Sequence, residues 1–130
     1  TFNHLNGWDT GAGSYLENVE RCRDNVPSSL FRPPHGKLGP AQTQGLLRDE
    51  YQIVMWDVLS ADFDRRLTGR QVLRNVTRHA GPGSVVVFHD SLKAWDRLQY
   101  ALPRTLSHFA ARGYRFAGLK EAGVLAQAVA

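Results

Sequence analysis

The chain has 130 residues, enough for one domain with a sizeable core, and 42% apolar with 22% charged residues is typical of globular proteins rather than disordered ones. No apolar run approaches the ~18 residues that a membrane span needs. The net charge of +4 is spread along the chain without a recognised nucleic-acid motif, which makes nucleic-acid binding a weak interpretation.

Helices and strands are predicted to alternate along the chain. Helical spacing of apolar residues, capping signals and glycine stops predict helices over 13–25, 41–49, 68–80, 102–112 and 121–128, with a short helical piece after Ser91. Apolar runs with β-branched or aromatic residues predict strands over 28–31, 51–58, 84–88 and 114–119. The alternation favours an α/β fold with a mainly parallel sheet.

Polar side chains follow the predicted strands, where parallel α/β sheets gather their chemistry. Arg32 and His35 follow the first strand, Asp57 and Asp62 the second, and His89 with Asp90 the third. Lys120 and Glu121 follow the fourth. Each group also has a structural interpretation, because a His–Asp pair, an aspartate cap or a surface arginine is common without any catalytic role.

Four short motifs, in this order, resemble those of the polysaccharide deacetylases, the NodB-homology domain of carbohydrate esterase family 4. "TFNH" at 1–4 is similar to the end of the metal motif His-Ser/Thr-x-x-His, and "FRPPHG" at 31–36 is similar to Arg-x-Pro-Tyr-Gly. "WDVLSADF" at 56–63 resembles Trp-Asp-Val-Asp-Ser-x-Asp-Trp, and "VVVFHDS" at 85–91 resembles Leu-x-His-Asp. The resemblance runs over nearly the whole chain.

The sequence departs from the family pattern at four matched positions. His35 replaces the usual aromatic residue, Leu59 an aspartate, Phe63 a tryptophan and Val87 a leucine. The family's Thr-Phe-Asp-Asp motif, with its base and first metal-binding aspartates, has no counterpart here, and the first histidine of the metal motif would precede Thr1. The resemblance therefore implies that 1–130 is the C-terminal portion of a single deacetylase domain, part of a distorted β/α barrel without its N-terminal strands.

The resemblance implies metal-dependent hydrolysis of N-acetyl or O-acetyl groups on a polymer such as chitin, peptidoglycan or xylan. His89 would protonate the leaving amine, which suits an imidazole because it exchanges protons near neutral pH. Asp62 would hydrogen-bond that imidazole, and Arg32 would hold the missing base aspartate. His4 would be one ligand of Zn²⁺ or another divalent metal.

The same resemblance implies that His35, Phe63 and Val87 bind substrate. The backbone N–H of His35 would help bind the oxyanion, Phe63 would contact a sugar ring, and Val87 would line the slot for the acetyl methyl. The missing segment would be a partner, either in the same polypeptide or as a separate chain, and a secreted or cell-envelope location fits the family. An amidase or cyclic-amide hydrolase on the same fold, and a non-catalytic glycan-binding domain, remain alternatives.

Overall fold

The computed structural model describes residues 1–119 of the chain. These residues divide into two compact units, of which the first spans Thr1–Met55 and the second begins at Trp56. The assignment of the chain to one portion of a single domain stays a prediction.

The first unit consists of two helices and two short strands. Its elements are α1 (Ala12–Arg23), β1 (Leu30–Phe31), a 3₁₀ turn (Pro34–Gly36), α2 (Pro40–Arg48) and β2 (Gln52–Ile53). The strands β1 and β2 pair in parallel. Helices α1 and α2 can approach closely because Gly45 lacks a side chain: a Cβ there would lie 2.4 Å from Leu16 Cδ1. The core of this unit contains Tyr15, Val19, Phe31, Leu46 and Tyr51.

The second unit repeats the pattern of parallel strands joined by a helix. Its elements are β3 (Val58–Leu59), α3 (Gly69–His79), β4 (Val86–Val87) and α4 (Trp95–Ala110). Strands β3 and β4 pair in parallel, with Leu59 opposite Val87. The predicted capping box opens α3, because the Thr68 hydroxyl accepts the Gln71 backbone N–H and the Gln71 side chain accepts the Thr68 N–H. An α/β fold with parallel pairing is therefore confirmed.

Three predicted elements differ in the structure. The apolar run 51–58 forms two strands rather than one, because β2 pairs with β1 whereas β3 pairs with β4. The helix predicted to restart at 102 is instead the second half of the continuous helix α4, which contains Pro103 in its interior. Residues 114–119 form no strand, and no described strand pairs with them.

Two predictions concern residues that the structure leaves out. The helix over 121–128, and the pair Lys120–Glu121, lie outside the described residues. Among the helices of residues 1–119, none is both long enough and apolar enough to cross a membrane.

Candidate active site

Asp62 lies just beyond the end of β3 and is fully buried. The residue before it, Ala61, has a left-handed backbone with φ of 63°, which costs free energy in any residue except glycine. The backbone N–H of Asp62 donates to the Ser60 hydroxyl oxygen at 3.3 Å. The Asn75 side chain donates to the carbonyls of Leu59 and Ser60, so α3 holds the strand end from which this turn starts.

His89 lies beyond the end of β4 and contacts Asp62 twice. Its ring Nδ1 is 2.7 Å from Asp62 Oδ1, and its backbone N–H donates to Asp62 Oδ2 at 2.8 Å. A carboxylate only accepts, so Nδ1 carries a hydrogen and the second ring nitrogen, Nε2, is left for other chemistry. The His89 side chain is 34% exposed, whereas that of Asp62 is 0% exposed. The contact predicted between these two residues is therefore present, in a geometry that orients an accessible imidazole.

Phe63 and Val87 lie beside this pair. The Phe63 ring meets the His89 ring edge-on, with centroids 5.2 Å apart and planes at 79°, and 36% of Phe63 is exposed. The Lys93 ammonium lies 5.9 Å from the centre of the Phe63 ring. Val87 is buried within β4, two residues before His89. A partly exposed aromatic ring thus adjoins the imidazole.

Asp64, two residues after Asp62 in the sequence, is a second carboxylate, and its charge is balanced by Arg66. The Arg66 guanidinium donates to both oxygens of Asp64, at 2.7 Å to Oδ2 and 3.0 Å to Oδ1. These bonds lower the pKa of Asp64 from its ordinary 3.8 to about 2. Asp64 is therefore a carboxylate at any physiological pH and holds no proton for catalysis.

Arg97, on the first turn of α4, belongs to this site although the sequence analysis did not single it out. It is buried, and its Nε–H donates to the backbone carbonyl of Asp62 at 2.6 Å. Its terminal NH₂ donates to the carbonyl of Lys93. The available signal was its spacing: Arg97, Ala101 and Thr105 fall at i, i+4 and i+8 and share the buried face of the helix.

Two other candidate residues, His4 and His35, meet in the first unit. Their ring centroids are 4.9 Å apart with the planes at 75°, and both residues have left-handed backbones, with φ of 56° and 58°. The Thr1 hydroxyl accepts the backbone N–H of Leu5 at 2.7 Å, which stabilises the turn carrying His4. Contact between the two imidazoles was not predicted, because it depends on the histidine at the position where the resembling motif has tyrosine.

Arg32 directly follows β1, as predicted, and its side chain is exposed. It contributes to the lining of a cavity of about 170 Å³, together with residues that include Phe31, Cys22 and Tyr51. The backbone N–H of His35 makes no hydrogen bond to another described residue, whereas the next two N–H groups donate to Pro33 and Pro34.

The described residues supply only part of a metal ligand set. Among residues 1–119, no group of three or more His, Cys, Asp and Glu side chains is placed to hold a metal ion. His4 and His35 would offer two imidazoles, short of the three protein ligands of a catalytic zinc site. Residues 1–119 alone therefore do not complete a catalytic metal site.

Comparison with known proteins found similar solved structures but no similar sequence. No protein-family model and no curated protein sequence matches the chain. Among solved structures, a peptidoglycan N-acetylglucosamine deacetylase superposes with a TM-score of 0.86 at 20% identity, over 94% of this chain and 60% of that one. The CE4 domain of a xylanase from the hindgut metagenome of Trinervitermes trinervoides gives 0.79 at 21%, over 92% and 59%. A wild-type CE4 family pseudoenzyme from Bacillus anthracis gives 0.76 at 20%, over 92% and 43%.

These similarities confirm that the chain has the fold seen in structures of carbohydrate esterase family 4, in agreement with the part-barrel prediction. The chain spans about three fifths of the length of the first of these chains. The neighbours include both deacetylases and a pseudoenzyme, so the fold does not decide between catalysis and its loss.

Proposed function

We propose that the protein hydrolyses acetyl groups from a carbohydrate polymer, with an N-acetylated sugar as the substrate class. The observation that carries the proposal is the buried carboxylate of Asp62 holding the ring of the partly exposed His89 at 2.7 Å. An oriented imidazole of this kind is the arrangement expected of a general acid or base. The fold shared with a peptidoglycan N-acetylglucosamine deacetylase supports the choice of an N-acetylated sugar.

His89 would act as the general acid in this reaction. Addition of water to the acetyl carbonyl gives a tetrahedral species, and its C–N bond breaks as the sugar nitrogen takes a proton from His89 Nε2. The products are acetate and the free amine. Asp62 would hold the Nδ1–H side and stabilise the imidazolium that must form before the proton is given away.

The remaining predicted residues would bind the substrate or the base. Phe63 would present its exposed face to a sugar ring, and Val87 would limit the space for the acetyl methyl. The N–H of His35 would donate to the carbonyl oxygen as negative charge develops there. Arg32 would hold a carboxylate base from a segment outside these 130 residues, in the same polypeptide or a second chain.

We extend the proposal to a divalent metal, Zn²⁺ by preference, with His4 as one ligand. Such an ion, when bound, supplies an activated water and a polarised carbonyl. The test is calorimetric titration of the protein with zinc, free of substrate. His4→Ala should weaken binding at least tenfold, whereas His108→Ala, which removes an imidazole from α4, should leave it unchanged.

Acetate release from a substrate panel tests the reaction class. The panel contains N-acetylated chito-oligosaccharide, peptidoglycan fragments, acetylated xylan and allantoin-like cyclic amides. The proposal predicts acetate from at least one sugar and no opening of the cyclic amides. Hydrolysis of the cyclic amides alone would replace it with the amidase interpretation.

The pseudoenzyme among the neighbours makes glycan binding without hydrolysis the second candidate. Saturable binding of the oligosaccharide by the protein, with no acetate released and no zinc bound, would establish it in place of the deacetylase.

A further inference from the structure

We propose that Arg97 is a positioning residue for the Asp62–His89 pair, an inference that rests on the proposed function only for its effect on rate. Its guanidinium donates to the backbone carbonyls of Asp62 and Lys93. By fixing both segments, Arg97 sets the direction in which His89 presents Nε2. Arg97 itself touches neither substrate nor the transferred proton.

The burial of Arg97 without a carboxylate partner is the first observation. Only 8% of Arg97 is exposed, and the ion pairs found among residues 1–119 do not include it. A buried guanidinium is costly unless its N–H groups are satisfied, and an apolar side chain on this face of α4 would avoid that cost. Arg97 instead donates to two backbone carbonyls, those of Asp62 and Lys93. We infer that holding these two carbonyls in place is its structural role.

The turn at Asp62 needs such a restraint. Ala61 is left-handed, and the Asp62 N–H makes only a long bond of 3.3 Å to Ser60. Among the described residues, Arg97 is the sole hydrogen-bond partner of the Asp62 carbonyl. If this peptide rotated to relieve Ala61, the carboxylate would swing away from His89. Arg97 therefore opposes relaxation of the backbone at the residue whose side chain orients the imidazole.

Arg97 also links the two segments that carry the pair. Asp62 follows β3, and Lys93 belongs to the segment between β4 and α4 that also contains His89. The hydrogen bonds between His89 and Asp62 connect these segments on one side. Arg97 connects them on the other, from the helix that comes next. With both segments restrained, the short contact between His89 Nδ1 and Asp62 Oδ1 is kept, and the imidazole stays oriented for proton transfer.

The test compares Arg97→Met and Arg97→Lys with Arg104→Met, a matched control. Arg104 is an exposed arginine of the same helix that donates to the carbonyl of Tyr100. The first readout is the ¹⁵N and Nδ1–H resonance of His89 in the full chain, which needs no substrate. We expect a slowly exchanging downfield Nδ1–H in the wild type and in Arg104→Met. It should be lost in Arg97→Met and weakened in Arg97→Lys, whose ammonium cannot reproduce the planar fork.

The second readout is acetate release. Misplacement of the pair should lower kcat roughly 10- to 100-fold while KM stays within about twofold, because Arg97 does not contact the substrate. If Arg97→Met does not fold, Arg97→Lys decides by the same two readouts.

A folded Arg97 variant with the wild-type His89 resonance and wild-type kcat would overturn the proposal. Equal changes in Arg104→Met would overturn it too, since any arginine of α4 would then have the same effect. If the wild type releases no acetate from any substrate, the proposed function fails, and the resonance of His89 still decides whether Arg97 positions the pair.

Discussion

Asp62→Asn separates the orienting role of the carboxylate from its role in folding. In the wild type both oxygens of Asp62 accept a hydrogen bond from His89, one from the ring and one from the backbone. A carboxamide has one oxygen and one NH₂ group. Both contacts survive in a single arrangement, with the oxygen accepting the backbone N–H and the NH₂ donating to a bare Nδ1. The variant should therefore fold and hold the imidazole in the opposite tautomer.

The two consequences differ in size. Two hydrogen bonds to a charged group become two neutral ones, a loss of about 1–3 kcal/mol that the smaller desolvation of an amide partly offsets. We expect about 1 kcal/mol of net destabilisation. Formation of imidazolium, however, would place a second N–H against the NH₂ of the asparagine. General acid catalysis contributes about 10²- to 10⁴-fold, equivalent to about 3–5 kcal/mol of barrier. The loss of rate should thus exceed the loss of stability.

Long-range ¹⁵N–¹H correlation spectra of the His89 ring report the tautomer directly. The wild type should carry its ring hydrogen on Nδ1 and the variant on Nε2. Chemical denaturation gives the change in unfolding free energy, and acetate release gives the change in rate. If Asp62→Asn retained the Nδ1–H tautomer and full activity, Asp62 would be a structural partner of His89 with no part in catalysis.

Three further predictions concern stability and titration. Glu50→Gly should raise the free energy of unfolding by about 1 kcal/mol in chemical denaturation, because Glu50 has a left-handed backbone (φ 62°) just beyond α2. A lower free energy of unfolding would show that contacts of the Glu50 side chain outweigh the relief of backbone strain. Tyr15→Phe should change the unfolding free energy by less than about 1 kcal/mol, since the buried hydroxyl has no hydrogen-bond partner among the described residues and burial raises the pKa of Tyr15 to about 12; a loss above about 2 kcal/mol would reveal a partner. Arg66→Gln should return the pKa of Asp64 from about 2 towards 3.8 in a ¹³C carboxyl titration, and an unmoved pKa would refute the assigned cause. Because the folded-state pKa of Asp64 is depressed, its contribution to stability is present above about pH 4 and is lost as pH falls towards 2.

Local signals predicted the elements that depend on local interactions. The capping box at Thr68 placed the start of α3, and Pro33, two residues after Phe31, placed the end of β1. Such signals act through hydrogen bonds and steric limits within a few residues of each other, so they can be recognised in a single amino-acid sequence.

The incorrect predictions all depended on partners distant in sequence. The run 51–58 is uniformly apolar, and only its pairing with two different strands divides it. Pro103 removes one backbone hydrogen bond from the interior of α4. The helix tolerates this loss because it has buried residues along its length, from Arg97 to Phe109. Residues 114–119 have strand composition, but strand structure requires a neighbour that the described residues do not provide.

The residues of the candidate site also fall into those that local sequence signals identified and those that depend on distant partners. The motifs identified Asp62 and His89, and strand ends gave the reason for their proximity. The role of Arg97 was missed because an arginine on a helix is normally a surface residue, and its burial depends on the turn at Asp62. The contact between His4 and His35 depends on two left-handed backbones, and the modest preference of histidine for that conformation does not fix it at particular positions.

The most direct test of the account is the rate of acetate release by the wild type and by His89→Gln, with circular dichroism confirming that both are folded. The proposed role of His89 predicts a measurable rate on an N-acetylated oligosaccharide that falls at least about 100-fold in the variant. An undiminished rate in folded His89→Gln would contradict it, because the proton for the leaving amine would then come from another group.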